Sequence, residues 1–161
     1  MGDIEKVAQY MQEQGLVLAT GESCTAGLIA ATLADIPGAG ALLDCAFVVY
    51  SPSAKMKCLD VRKQTIDAYG LTSVAVSREM ALGALVRGRA NVAIANTGVT
   101  DDMPDGPPAG TQCFAWAFKR PGTEPWVFAE TKIFVGMRNE IRQASADFAL
   151  LRLTELHRQL E

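Results

Sequence analysis

Two short runs, Leu16-Val17-Leu18-Ala19 and Asn91-Val92-Ala93-Ile94-Ala95, carry almost no polar side chain and are bounded by turn residues. Strands that are apolar along their whole length are covered on both faces, the habit of parallel sheets packed between helices. The segments around them have a helical period. Ile4, Val7, Ala8 and Met11 recur at spacings of three and four, and Gly15 closes that helix. Residues 25–34 read as an alanine-rich helix ended by Ile36-Pro37-Gly38, with Gly21-Glu22-Ser23 as the turn before it. A strand is expected over 42–50, and Pro52 at a first helical position opens a short helix behind it. Further helices are expected over 62–69 and 76–87. Two longer strands, 111–119 and 126–135, flank Arg120-Pro121-Gly122-Thr123 and predict an antiparallel hairpin. A last helix over 138–159 carries Ile141, Ala144, Phe148, Leu151 and Leu156 on one side. The expectation is an α/β fold: a three-layer α/β/α sandwich with a mostly parallel mixed sheet. No repeat or linker interrupts the chain, so residues 1–161 read as a single domain.

The rarest residue narrows the chemistry. A single histidine, His157, stands near the end of the chain. A multi-histidine metal site is excluded, and a Ser-His-Asp triad would have to recruit that one residue. Hydrolytic chemistry here would move its protons by another group. A net charge of −3 argues against a nucleic-acid partner, which needs a basic face. The cysteines at 24, 45, 58 and 113 form neither a C-x-x-C pair nor a zinc-ligand spacing. They read as small hydrophobes of a reducing compartment. The first residues lack the pattern of a signal peptide and no apolar run approaches a membrane span, so a cytoplasmic location and no membrane partner are expected.

In such a sheet, ligands bind beyond the carboxyl ends of the strands. Three segments leave strands there: 21–27, 50–55 and 97–110. Gly21-Glu22-Ser23-Cys24-Thr25-Ala26-Gly27 is a glycine-flanked polar turn running into a helix N-terminus, where free N–H groups can hold an anion. Two readings stay open. Ser23 is a nucleophile beside those donors, or Ser23 or Thr25 caps the helix. Tyr50-Ser51-Pro52-Ser53-Ala54-Lys55 places a phenol at a strand end and an amine one turn into the next helix. Lys55 is a surface lysine or, if burial depresses its pKa, a general base. No dinucleotide fingerprint, Walker A sequence, G-x-S-x-G elbow or S-x-x-K motif is present.

Taken in order, Glu22-Ser23-Cys24-Thr25-Ala26-Gly27, Asp35-Ile36-Pro37-Gly38, Tyr50-Ser51, Ala54-Lys55, Val74-Ala75-Val76-Ser77, Thr97-Gly98 and Gly110-Thr111 resemble the CinA C-terminal domain family. The likeness runs over residues 5–151. Enzymatic members of that family are nicotinamide mononucleotide amidohydrolases. The resemblance implies a serine nucleophile, matched by Ser23, a lysine base, matched by Lys55, and a strand-end tyrosine, matched by Tyr50. It implies substrate contacts around Glu22, Cys24, Thr25, Gly27, Thr97 and Gly98. It also implies a small-molecule nucleotide substrate, a homo-oligomer, and no metal or organic cofactor. Arg138 and Arg142, four apart on one helix face, match the family's G-D-R-x-x-I-R pattern; they read as a phosphate or carboxamide clamp or as exposed surface residues.

The chain departs from the family pattern near the expected site. Ala26 replaces the first glycine of E-S-x-T-G-G, and Pro52 replaces the asparagine of Y-S-N. Cys45-Ala46 stands where a glycine pair is usual. The loop after Thr97-Gly98 is shortened, its usual lysine has become Pro107, and Asp101, Asp102 and Asp105 have entered it. These aspartates are turn residues or, alternatively, ligands of a divalent ion. Negative charge there opposes a phosphate. Beside the amidohydrolase, two other readings therefore stand: a non-catalytic binding module, and an amidase acting on a related amide without the phosphate.

Overall fold

The computed structural model describes residues 1–160. Six α-helices and five strands follow in the order α1 (Asp3–Gln14), β1 (Leu18–Glu22), α2 (Leu28–Ala34), β2 (Leu43–Val48), α3 (Pro52–Leu59), α4 (Lys63–Tyr69), α5 (Val74–Val86), β3 (Val92–Gly98), β4 (Thr111–Phe118), β5 (Trp126–Ile133) and α6 (Arg138–Arg158). The sheet order is β2-β1-β3-β4-β5. β1 pairs in parallel with β2 and β3, while β3–β4 and β4–β5 are antiparallel. β4 alone therefore runs against the other strands, and the 111–135 hairpin forms as the sequence predicts.

The strands alternate by size rather than by polarity. Leu18, Val92, Ile94, Phe114, Trp116 and Phe118 face one side, where they pack with α1, α2 and α6. Ala19, Ala93, Ala95, Ala115 and Ala117 face the other, where α5 lies across the sheet with α3 and α4 outside it. Alanines let a helix approach closely, and both faces are dry, as runs without polar alternation require. The Trp116 indole N–H is satisfied by the Ala149 carbonyl at 2.9 Å. Here the three layers α/β/α are complete.

Around the first polar turn, two boundaries differ from the sequence reading. The first strand is Leu18–Glu22, so Gly21 and Glu22 end it instead of forming the turn. A Cβ on Gly21 would meet the Leu59 side chain at 2.9 Å and the Met80 carbonyl at 3.3 Å, so this glycine serves close packing under α5. The helix expected from residue 25 starts at Leu28. Ala26 (φ +48°) and Gly27 (φ +98°) hold the left-handed region, which ends helical winding and leaves residues 23–27 as an irregular turn.

Candidate active site

Ser23 leaves β1 at its carboxyl end. Its N–H makes one more bond of the ladder, to the Asn96 carbonyl at 3.0 Å, and then the chain turns back on itself, with Ala26 N–H on the Ser23 carbonyl at 3.0 Å. Four side chains, in three supports, hold this turn. Glu22, fully buried, accepts the N–H groups of Gly27 and Ile29 on Oε1 at 3.1 and 2.9 Å. Its Oε2 accepts Ala30 N–H at 3.2 Å and the Thr20 hydroxyl at 2.8 Å. A carboxylate at the positive end of a helix, hydrogen-bonded on both oxygens, is well compensated without a cation. The N-terminal amides of α2 are thus consumed by Glu22, and neither Ser23 nor Thr25 caps the helix. The expectation that those amides receive an anion is corrected accordingly.

Asn96 and Gln112 form the second support. Asn96 Oδ1 accepts Thr25 N–H at 3.1 Å, and its amide group donates to Gln112 Oε1 at 2.8 Å. Gln112 in turn donates to the Val99 carbonyl at 3.1 Å and to Cys24 Sγ at 3.4 Å. Sequence reasoning missed both residues. The available signal was a polar amide late in one largely apolar strand and another at the second position of the next. Arg142 is the third support: its guanidinium donates to the carbonyls of Cys24 at 2.8 Å and Thr25 at 3.3 Å.

Lys55 arrives from the other side. β2 ends at Val48, Ser51 caps α3 by accepting Ala54 N–H at 3.0 Å, and Pro52 sets the first turn. Lys55 lies one turn on and is 1% exposed. Its Nζ donates to Ser23 Oγ at 2.9 Å, to the Val49 carbonyl at 2.8 Å and to the Tyr50 carbonyl at 3.0 Å. No carboxylate among the described residues accepts from it, and burial lowers its pKa to about 8. A neutral fraction is then present near neutrality, which lets the amine take a hydroxyl proton. The Tyr50 contact with Lys55 is through the carbonyl. Its phenol ring is 58% exposed and lies along the cavity wall.

That cavity has a volume of about 470 Å³ and opens on Ser23 and Lys55. Cys24, Tyr50, Thr97 and Gly98 line it, as do Tyr69, Leu71, Met103 and Asp105. A smaller chamber of about 160 Å³ adjoins it, sharing Cys24, Tyr50 and Gly98 and bounded by Asp101 and Arg138. Glu22, Thr25, Gly27 and Arg142 line neither chamber, in contrast to the substrate contacts expected of them. Thr25 and Gly27 belong to the turn itself, and the Glu22 and Arg142 side chains support it. Arg138 and Arg142, read as a clamp or as exposed surface residues, have separate partners: Arg138 pairs with Asp101 at 2.9 Å. The aspartates also separate, since Asp102 accepts Ala109 N–H at 2.9 Å and Asp105 reaches the main cavity. No group of three potential ligands for a metal ion occurs among the described residues.

Fold and site together define a three-layer α/β protein with a buried serine–lysine pair at the carboxyl ends of its parallel strands. The chain belongs to the CinA C-terminal domain family, whose profile matches residues 3–157. It is 36% identical over 150 residues to the nicotinamide-nucleotide amidohydrolase PncC of Shigella flexneri, across 91% of this chain and 87% of that protein. A CinA-like protein of Chlorobium phaeobacteroides is 39% identical over 150 residues, but the match covers only 35% of its length. The chain spans about a third of the length of relatives of that kind. Among solved structures, a CinA superfamily protein from Klebsiella pneumoniae superposes with a TM-score of 0.88 at 32% identity, covering 95% of this chain and 94% of that one. A competence/damage inducible protein from Agrobacterium tumefaciens gives a TM-score of 0.86 at 35% identity, covering 98% and 97%.

Proposed function

We propose that the protein is an amidohydrolase that uses Ser23 as nucleophile and Lys55 as general base on the carboxamide of a nicotinamide nucleotide. The observation that carries the reading is the 2.9 Å contact between Lys55 Nζ and Ser23 Oγ at the floor of an open cavity. The likeness to an amidohydrolase over nearly its full length supports the reaction class. Neutral Lys55 takes the Ser23 proton as the oxygen attacks the carboxamide carbon. The Cys24 N–H lies at the same turn and makes no hydrogen bond among the described residues. The register of β3 turns Gly98 N–H toward β1, beyond the last bond of that ladder, from Ser23 to Asn96. These two amides are the oxyanion donors in this reading, in place of the α2 amides. Lys55 then gives its proton to the amide nitrogen, the carbon–nitrogen bond breaks, and ammonia leaves an acyl-serine. Water attacks the ester, giving a proton to Lys55, and Ser23 recovers that proton as the carboxylic acid departs.

Ammonia release from nicotinamide mononucleotide tests the assignment. Wild type is expected to release it and Ser23→Ala to lose at least about a hundredfold in rate, as removal of a nucleophile does. A Ser23→Ala rate equal to wild type overturns the reading.

A further inference from the structure

The reading above takes the carboxamide from a nicotinamide nucleotide, and the cavity walls bear on whether its phosphate is favoured. Among the residues lining the main chamber, Lys55 and Asp105 are the only charged ones. Lys55 spends its amine on Ser23 and two carbonyls. The adjoining chamber has one guanidinium, Arg138, and Asp101 already occupies it at 2.9 Å. Arg142, the remaining candidate, is turned to the Cys24 and Thr25 carbonyls behind the nucleophile turn. Among the described residues no cation on either wall lacks a partner, and the one wall charge without a partner is the Asp105 carboxylate. The lining of the main chamber is also aromatic and apolar at Tyr50, Tyr69, Leu71 and Met103.

Resting on the amidohydrolase reading, we infer that this site selects a carboxamide on an uncharged or cationic ring system and discriminates against the same amide carrying a phosphate monoester. The preferred class is the N-glycosylated pyridinium amide at the nucleoside level. Its planar cationic ring suits tyrosine faces and a nearby carboxylate. A phosphate dianion reaching Arg138 would share it with Asp101 and would face both carboxylates. Asp101 and Asp105 are thus specificity-determining residues.

The experiment measures kcat/KM for nicotinamide riboside and nicotinamide mononucleotide with wild type and with the Asp101→Asn, Asp105→Asn double variant. Asparagine keeps the shape, and it tolerates the left-handed conformation of residue 105 (φ +57°). Wild type should favour the nucleoside by about tenfold at low salt, with the ratio shrinking as salt is added. The double variant should lower that ratio toward one. A wild-type preference for the nucleotide, or a ratio unmoved by the double substitution, overturns the inference and leaves the amidohydrolase standing. Calorimetric binding of both amides to Ser23→Ala separates the two claims. Tighter nucleoside binding with hydrolysis of neither amide by wild type keeps the charge selection and sinks the amidohydrolase.

Discussion

Lys55 Nζ lies 2.9 Å from Ser23 Oγ although the two residues leave different strands, β1 and β2, and stand 32 positions apart. The contact is made in a place where the amine is 1% exposed, so the proton that Lys55 carries is held against the cost of burial. Two consequences follow for pH. A lysine base works only when neutral, so kcat/KM should rise tenfold per unit at acidic pH and level off above about 8. The second concerns stability. The folded pKa of about 8 is below the unfolded value of about 10.4, so the unfolded chain binds more protons between them. Stability relative to Lys55→Met should therefore increase as pH rises through that window, read from urea unfolding at several pH values. A flat difference would mean that the amine is not held in a low dielectric.

Glu22 bears the turn on which Ser23 sits. Four donors converge on its two oxygens, and an amide can accept at only one of them. Glu22→Gln should cost about 1–3 kcal/mol by setting a donor against a donor in a buried place. Thermal unfolding should show a fall of several degrees. A side chain that merely touched substrate would leave the melting temperature unchanged and alter KM instead.

Ser23 and Lys55 stood out in the sequence because each is tied to a local signal, and the family resemblance supplied the roles expected of them. Ser23 falls in a polar turn after an apolar run, and Lys55 follows a proline that marks a helix start. The supports of the turn were not legible. Asn96 reaches Thr25 across 71 positions, Gln112 reaches Cys24 across 88, and Arg142 reaches Cys24 across 118. Periodicity reports which face of an element is buried and is silent on which distant element it meets. The resemblance put Glu22 among the substrate contacts because it shares a motif with Ser23 and Cys24, which are at the cavity, but its own side chain turns to the Gly27, Ile29 and Ala30 amides. The hairpin, the covering helices and the sandwich needed only local patterns, and they form as expected.

Ala26 occupies the position where the family pattern has a glycine, and it does so at φ +48°. A non-glycine residue in the left-handed region costs about 1–2 kcal/mol. Ala26→Gly relieves that strain while adding some freedom to the unfolded chain, so a net gain of about 0.5–1 kcal/mol is expected. Its neighbour should behave oppositely, since Gly27→Ala places a Cβ at φ +98°. Urea midpoints moving in opposite directions at unchanged slope would establish both signs.

Arg142 separates a positioning role from a binding role. Its fork spans two successive carbonyls of the nucleophile turn, an arrangement that a lysine cannot reproduce. If the guanidinium acts by fixing that turn, Arg142→Lys should lower kcat by about tenfold, the scale of a small misplacement of reacting atoms, with KM little changed. A phosphate clamp would behave differently: KM for the nucleotide would rise while kcat held, and the nucleoside would be unaffected. The position of Arg142 behind Cys24 and outside both chambers favours the first outcome, with equal losses in kcat on both amides.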